Sequence, residues 1–392
     1  MERLLYISHR LPYPPDKGER VRAFHEIKLL AERYELTLAS LVHDRAELDH
    51  VSALEAICHE VITAPAGGKL GLLRGAGRFL VGRSVTEGYF HNPVLMKRLH
   101  RLSEDQPFDV VFGYCSSTLP YVRAVRSGRR VLDLVDVDSL KWEAYAAAAR
   151  GPKRWLYAAE ARRVAALERR AVETCDAVLL VSQAELDAFR ANANNVHAVG
   201  NGVDTEYFRP DAVEPMDLGP KAVVFTGTMS YAPNAEGVLW FVREVWPAVR
   251  KAHPRATFTI VGRDPTPAVR KLADTPGVTV TGSVPDVRPY LTGAKLAVCP
   301  LLTARGIQNK ILEALAMGLP VVATPAAAEG LGRTPGEPPL VADLPGEWRD
   351  RLSALLCDEP ALNRMSAAGR AHIEQHHTWR QQLGRLLDTC PG

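Results

Sequence analysis

Cysteine is sparse and scattered in this chain. Its 392 residues hold six, Cys58, Cys115, Cys175, Cys299, Cys357 and Cys390, with no C-x-x-C pair among them. That spacing argues against both a zinc ribbon and a disulfide scaffold, and it fits a reducing compartment. No run of about 18 apolar residues occurs, so no membrane-spanning helix is expected. Met1 is followed directly by Glu2, Arg3 and the strand-like LLYIS, without the order of charge, long apolar run and small-residue cleavage site of a signal peptide. A cytoplasmic location is therefore expected. An excess of one charge is lacking too: 48 Lys and Arg stand against 45 Asp and Glu. No broad field marks nucleic acid as a partner. The turn SHRLPYPPDKGER after the first apolar run lacks G-x-G-x-x-G, which disfavours a bound NAD. His372, His376 and His377 find no further carboxylate or histidine at ligand spacing, so neither a metal nor another cofactor is expected.

What is present is a rhythm. RLLYIS, a helical pattern from about Arg20 to Tyr34, LTLASLV, DVVFGY, RRVLDLVD and AVLLVS alternate as parallel strands with crossover helices do. The pattern restarts after residue 220 with AVVFTGT, a helical stretch near Ala235 to Ala252, TFTIVG, VTVTGS, LAVCPL, a helix beginning near Gln308, and PVVAT. The spacing predicts two α/β domains, at 1–203 and 220–370, joined through the Gly-, Pro- and Asp-rich stretch at 203–220, with a last helical segment at 371–392. Ligands of open parallel sheets bind beyond the carboxyl ends of the strands, so with two such sheets a cleft between them is the expected site.

The segment Arg305-Gly306-Ile307-Gln308-Asn309-Lys310 carries the most chemistry. Gly306 permits a tight turn after LAVCPL, and the amides that follow open a helix, where they point outward as donors with about half a positive charge. A diphosphate suits such a turn. Glu313 faces the same way, and its carboxylate is placed for a ribose diol, each charged hydrogen bond being worth about 1.5–3 kcal/mol. Gly318-Leu319-Pro320 then ends the helix and starts a buried strand.

This segment, with GTMSYAPN (227–234), TIVGRDP (259–265), VTVTGSVPDVRPYLTGAKLAVCPL and VGNGVDTEYF (199–208), resembles the donor-site signature of family-4-type glycosyltransferases. The likeness covers most of residues 199 to 330. It implies the GT-B fold of two facing Rossmann-like domains, donor contacts at Gly227, Thr228, Gly262 and Arg263 beside those of residues 305–313, and a final helix crossing back to the first domain. It also implies transfer of a sugar from a nucleotide-diphosphate donor to a hydroxyl acceptor, saccharide or lipid-linked, with retention of configuration. HRLPYPPDKGERVRAFH, DLVDVDSLKW and RGIQNKILEA resemble more narrowly the transferases of bacterial exosortase and exopolysaccharide systems.

Departures from the family pattern matter. Where many members carry a glutamate eight residues before the position of Glu313, this chain has Arg305. The Arg and Lys often found after the first donor-domain strand are replaced by Thr228 to Asn234. Two phosphates in a partly dry site still need compensating charge, and Arg305 and Lys310 are the expected source, with Arg305 close to the reacting bond. Either a nucleotide-sugar epimerase of the same fold or a nucleotide-sugar-binding protein without catalysis remains as an alternative.

In the first domain, the resemblance puts Gly18, Arg20 and Arg22 at the donor or acceptor, with solvated charges on a Pro-rich loop as the other reading. Asp136 and Asp138 either serve the acceptor hydroxyl and the developing oxocarbenium charge or simply start a helix. Residues 66–83, AGGKLGLLRGAGRFLVGR, mix leucines with Lys69, Arg74, Arg78 and Arg83. Such a segment can rest on the inner face of an anionic membrane, but the pattern favours a core-facing helix with solvated arginines.

Overall fold

The computed structural model describes residues 1–15, 18–191, 193–304, 306–331 and 338–389. They group into two compact units, one of residues 1–200 with the chain from Leu383 on, the other Asn201–Gln382. Among the described residues no helix is long and apolar enough to cross a membrane.

The first unit is a seven-stranded parallel sheet. Its strands are β1 (Arg3–Ser8), β2 (Glu35–Val42), β3 (Glu60–Pro65), β4 (Phe108–Tyr114), β5 (Ser127–Val135), β6 (Ala177–Leu180) and β7 (Val196–Ala198), in the order β3-β2-β1-β4-β5-β6-β7. RLLYIS and its neighbours run as continuous apolar strings because helices cover both faces of the sheet. The second unit has β8 (Lys221–Thr226), β9 (Ala256–Val261), β10 (Val278–Gly282), β11 (Leu296–Cys299), β12 (Val321–Ala323) and β13 (Leu340–Val341), ordered β10-β9-β8-β11-β12-β13. In each sheet the strand order reverses once, between β1 and β4 and between β8 and β11. Those reversals open crevices at the carboxyl edge. Phe241, Phe258 and Trp348 fill the second core, with ring centroids 4.8 and 5.6 Å from that of Phe241.

Residues 203–220, expected as a linker, are bound to the second unit. Arg370, on the helix Glu359–His376, donates to the carbonyls of Thr205 at 3.1 Å and Phe208 at 2.7 Å, and also to that of Ala316. The Met216 amide reaches the Pro289 carbonyl at 2.9 Å. Polar backbone without its own ladder must find partners, and here the helices Glu359–His376 and Arg288–Gly293 supply them.

The helix expected within residues 66–83 forms over Gly68–Leu80, but it is turned over. Gly71 and Gly75 are its buried residues, packed so tightly on the short helix Val85–Tyr89 that a Cβ on Gly71 would stand 2.8 Å from the Tyr89 carbonyl oxygen. Leu70, Leu72, Leu73 and Leu80 are all exposed. The apolar face does not meet the core, because close backbone approach at the glycines decides the orientation.

Candidate functional site

Gly227 and Gly262 follow β8 and β9, and the ends of these strands are held together beyond the sheet. The Gly227 amide donates to the Val261 carbonyl at 3.0 Å and the Met229 amide to that of Arg263 at 2.9 Å. Gly262 has φ +159° and Gly227 φ +157°. Each fits only as glycine: a Cβ on Gly227 would lie 2.8 Å from Nδ2 of Asn234 and 3.2 Å from Nζ of Lys310.

That second contact joins the glycine turn to the helix Asn309–Ala316, which follows β11 across the strand reversal. Gly306 turns the chain with φ +62°, Gln308 occupies the cap position without a side-chain cap bond, and Asn201 Nδ2 donates to Asn309 Oδ1 at 3.1 Å. Lys310 donates to Asn234 Oδ1 and stands 4.7 Å from the centroid of the Phe225 ring. Asn234 in turn donates to the Thr228 carbonyl at 2.9 Å, while Arg263 Nε reaches Thr228 Oγ1 at 3.4 Å. Thus Gly227, Thr228, Gly262, Arg263, Lys310 and Glu313 share the carboxyl edge of the second sheet, with Ile307 and Gln308 on the approach to the helix. Arg305 lies outside the described residues.

Lys310 and Glu313 tune one another. Burial lowers the lysine pKa, opposed by Cys299 and Glu313. Burial pushes the Glu313 carboxyl up to about 7, with Lys310 working the other way. The accessible surface leaves both side chains only partly covered, so solvent and small ligands can reach them. Glu313 makes no hydrogen bond or ion pair among the described residues. A half-buried carboxylate with empty acceptors beside a cation is placed to bind a polar ligand.

The first unit has a carboxylate of the same kind. Cys115, just after β4, has φ +72°, and β5 ends in Val135 at φ +67°, a positive φ that is costly for a β-branched residue. Asp133 Oδ1 holds it by accepting the Val135 amide at 2.7 Å. The strained turn leads to Asp136, whose pKa burial raises to about 6, against Lys141, and whose carboxylate has no hydrogen bond among the described residues. Asp138 opens the helix Asp138–Ala148 and accepts Ser116 Oγ at 3.0 Å. Ser139 instead donates both its amide and its hydroxyl to Glu168, at 2.9 and 2.6 Å.

Gly18 begins the helix Gly18–Leu30. Arg20 is paired with Glu47 at 2.6 Å. Arg22, expected at a phosphate, is 1% exposed and spans Asp133 at 2.6 Å, Glu26 at 3.0 Å and the Val199 carbonyl at 2.8 Å. Burial opposes its charge, but Asp133 and Glu26 more than offset this and raise its pKa. These contacts make Arg22 a structural cation.

Three residues at these edges escaped sequence reasoning. Asn234 reads as an ordinary helix-start residue until its contact with Lys310 is seen. Tyr207, whose ring lies 3.8 Å beneath the Arg288 guanidinium, is close enough to Glu313 to feel its charge. His9, after β1, is kept neutral by burial and then by Arg10 and His43, with its pKa down to about 4. Only its position after a strand could have signalled it.

The family model described as "Glycosyl transferases group 1" matches residues 220–358. A Klebsiella pneumoniae protein described as an uncharacterized 44.6 kDa protein in the cps region is 22% identical over 364 residues, 88% of either chain. Among solved structures, Anabaena HepE in complex with UDP and glucose superposes with a TM-score of 0.68 at 16% identity, over 100% of this chain and 99% of its own. Sucrose-phosphate synthase from Thermosynechococcus elongatus gives 0.71 at 16% identity with the same coverage.

Proposed function

We propose that this chain, a glycosyltransferase of GT-B fold with a group 1 domain over residues 220–358, takes a nucleotide-diphosphate sugar at the carboxyl edge of its second sheet and passes the sugar, with retention, to a hydroxyl acceptor in exopolysaccharide or glycolipid synthesis. The observation that carries this reading is the pair Lys310 and Glu313, a cation and an unsatisfied carboxylate on one face of a helix that starts at the strand reversal.

In this reading Glu313 accepts the two ribose hydroxyls. The amides of Gly306, Ile307 and Gln308, with Lys310 and Arg305, meet the diphosphate. As the bond from the anomeric carbon to the diphosphate oxygen breaks, charge builds on that oxygen, and fixed cations and amides stabilise it without reorganisation. The acceptor oxygen forms the new bond to the anomeric carbon and gives its proton to the departing diphosphate oxygen, and Asp136 and Asp138 orient that hydroxyl. The relative's place in a cps region and HepE's UDP and glucose support the polysaccharide and nucleotide-sugar parts of the proposal. The exposed leucines and basic residues of the Gly68–Leu80 helix support peripheral contact with a membrane carrying a lipid-linked acceptor.

A thermal-shift panel of UDP, GDP, ADP and dTDP sugars tests the donor site, since a ligand raises apparent stability by mass action. One nucleotide should stabilise the wild type and fail with Glu313→Gln. Stabilisation of both proteins alike would remove Glu313 from the site. Proton NMR of the product with a sugar acceptor then reads the anomeric configuration, and a donor epimerised without transfer would overturn the reading in favour of an epimerase.

A further inference from the structure

The Gly68–Leu80 helix carries its arginines inward and its leucines outward. Gly71, Arg74, Gly75 and Arg78 follow one another at the helical spacing of a single face. Leu72 is 60% exposed, Leu73 70% and Leu80 86%. Beneath the helix lies a pocket of about 290 Å³. Four guanidinium groups line it, those of Arg78, Arg83, Arg123 and Arg170, against the single carboxylate of Glu87.

Their pairing leaves charge over. Arg83 lies 2.8 Å and Arg78 3.5 Å from the same Glu87 oxygen. Arg123 has no hydrogen bond or ion pair among the described residues, and Arg170 donates only to the Ala166 carbonyl of its own helix, at 3.3 Å. His91, also at the pocket, has its pKa lowered by burial and then by Arg78 and Arg74, so it adds no further positive charge. Four cations gathered at one concave surface with one carboxylate between them, Arg83 and Arg123 open to solvent, favour an anion from outside.

The apolar surface continues next door. Arg163, on the helix Pro152–Thr174, lies 3.6 Å over the Phe79 ring, and Glu160 on the same helix accepts the Val85 and Thr86 amides at 2.8 and 3.0 Å. At its start Trp155 is 77% exposed, between the exposed Arg154 and Leu156. An outward leucine face, an exposed tryptophan and a cationic pocket match an amphiphile with a negative head.

We infer that the pocket holds the phosphate of a membrane lipid, between Arg78, Arg83, Arg123 and Arg170, while the hydrocarbon lies along Leu72, Leu73 and Leu80. What the lipid is for rests on the transfer proposed above; its binding does not. The phosphate belongs either to a bilayer phospholipid or to a polyprenyl phosphate that carries the acceptor.

Cosedimentation of the full chain with vesicles tests the inference. Three compositions are used: phosphatidylcholine alone, phosphatidylcholine with phosphatidylglycerol, and phosphatidylcholine with polyprenyl phosphate at the same charge. The wild type should partition into a phosphate-bearing anionic vesicle roughly tenfold more strongly than into phosphatidylcholine. The double variant Arg123→Ala/Arg170→Ala should lose that preference, Arg123→Lys/Arg170→Lys should keep most of it, and Leu72→Ser/Leu73→Ser should weaken partition into every vesicle. Equal binding to both anionic vesicles identifies a phospholipid head group, and binding to the polyprenyl phosphate vesicle alone identifies the acceptor lipid. Absence of wild-type partition, or full retention of the preference in the arginine-to-alanine pair, overturns the site. Thermal melts and nucleotide binding on the same variants separate the two proposals: folded variants that still bind nucleotide report on the pocket alone, whereas a wild type that binds vesicles but no nucleotide sinks the donor reading and leaves the lipid site standing.

Discussion

A side-chain carbon on Gly262 would stand 1.7 Å from the carbonyl oxygen of Gly227. The two glycines that close β8 and β9 therefore sit in direct backbone contact, and the turn carrying Thr228 keeps its place beside Lys310 because neither has a side chain. Gly262→Ala must push the turns apart in a conformation that alanine resists. It should cost about 2–4 kcal/mol of stability and weaken nucleotide binding in the protein that still folds, as read by thermal melts and titration calorimetry.

The raised pKa of Glu313, about 7, makes two pH dependences. A carboxyl that holds its proton more firmly folded than unfolded adds stability that fades as pH rises from the unfolded value through the folded one. The ligand-free protein should therefore lose stability between about pH 4.5 and 7, and Glu313→Gln should remove part of that slope. Donor binding runs the opposite way, because only the carboxylate accepts both ribose hydroxyls. Affinity for the nucleotide should rise from pH 6 to 8 in the wild type and stay flat in the glutamine variant.

Lys310 should matter for phosphate and not for the nucleoside. Lys310→Met keeps the length of the side chain and removes the charge, so the nucleoside diphosphate should bind about tenfold more weakly while the nucleoside alone binds as before. Equal losses for both ligands would show that the variant deforms the turn instead, through the loss of its bond to Asn234.

For Arg22 the expectation is a loss of stability. Arg22→Ala leaves Asp133 and Glu26 facing each other without their cation in the core of the first unit, at a cost of about 3–5 kcal/mol. Chemical denaturation measures it. Nucleotide binding by the folded fraction should be unchanged, whereas a phosphate-binding arginine would give the reverse result.

The strands were legible because a parallel sheet covered on both faces demands uninterrupted apolar runs, and RLLYIS, AVVFT and PVVA meet that demand. The start of the helix Asn309–Ala316 was legible for a similarly local reason, since Gly306 and Gly318 mark its two ends within the chain itself. Arg22 and the Gly68–Leu80 helix were not. An arginine near the carboxyl edge of a sheet reads alike whether it meets a phosphate or a buried Asp133 that is 111 residues away. A helix with leucines on one side and glycines on the other reads as core-facing until the partner that accepts the glycines is known.

Local chemistry in the sequence thus determined the parallel strands, the glycine turns at their ends and the helix that carries Lys310 and Glu313, because each depends on spacing within a few residues. Tertiary structure alone decided which charges are spent on one another and which are left without a partner among the described residues. Arg22 is neutralised inside the core and Glu313 is not, and nothing in their neighbouring residues distinguishes them. Burial and pairing are set by segments that meet only after folding, and these fix the charge a side chain can offer.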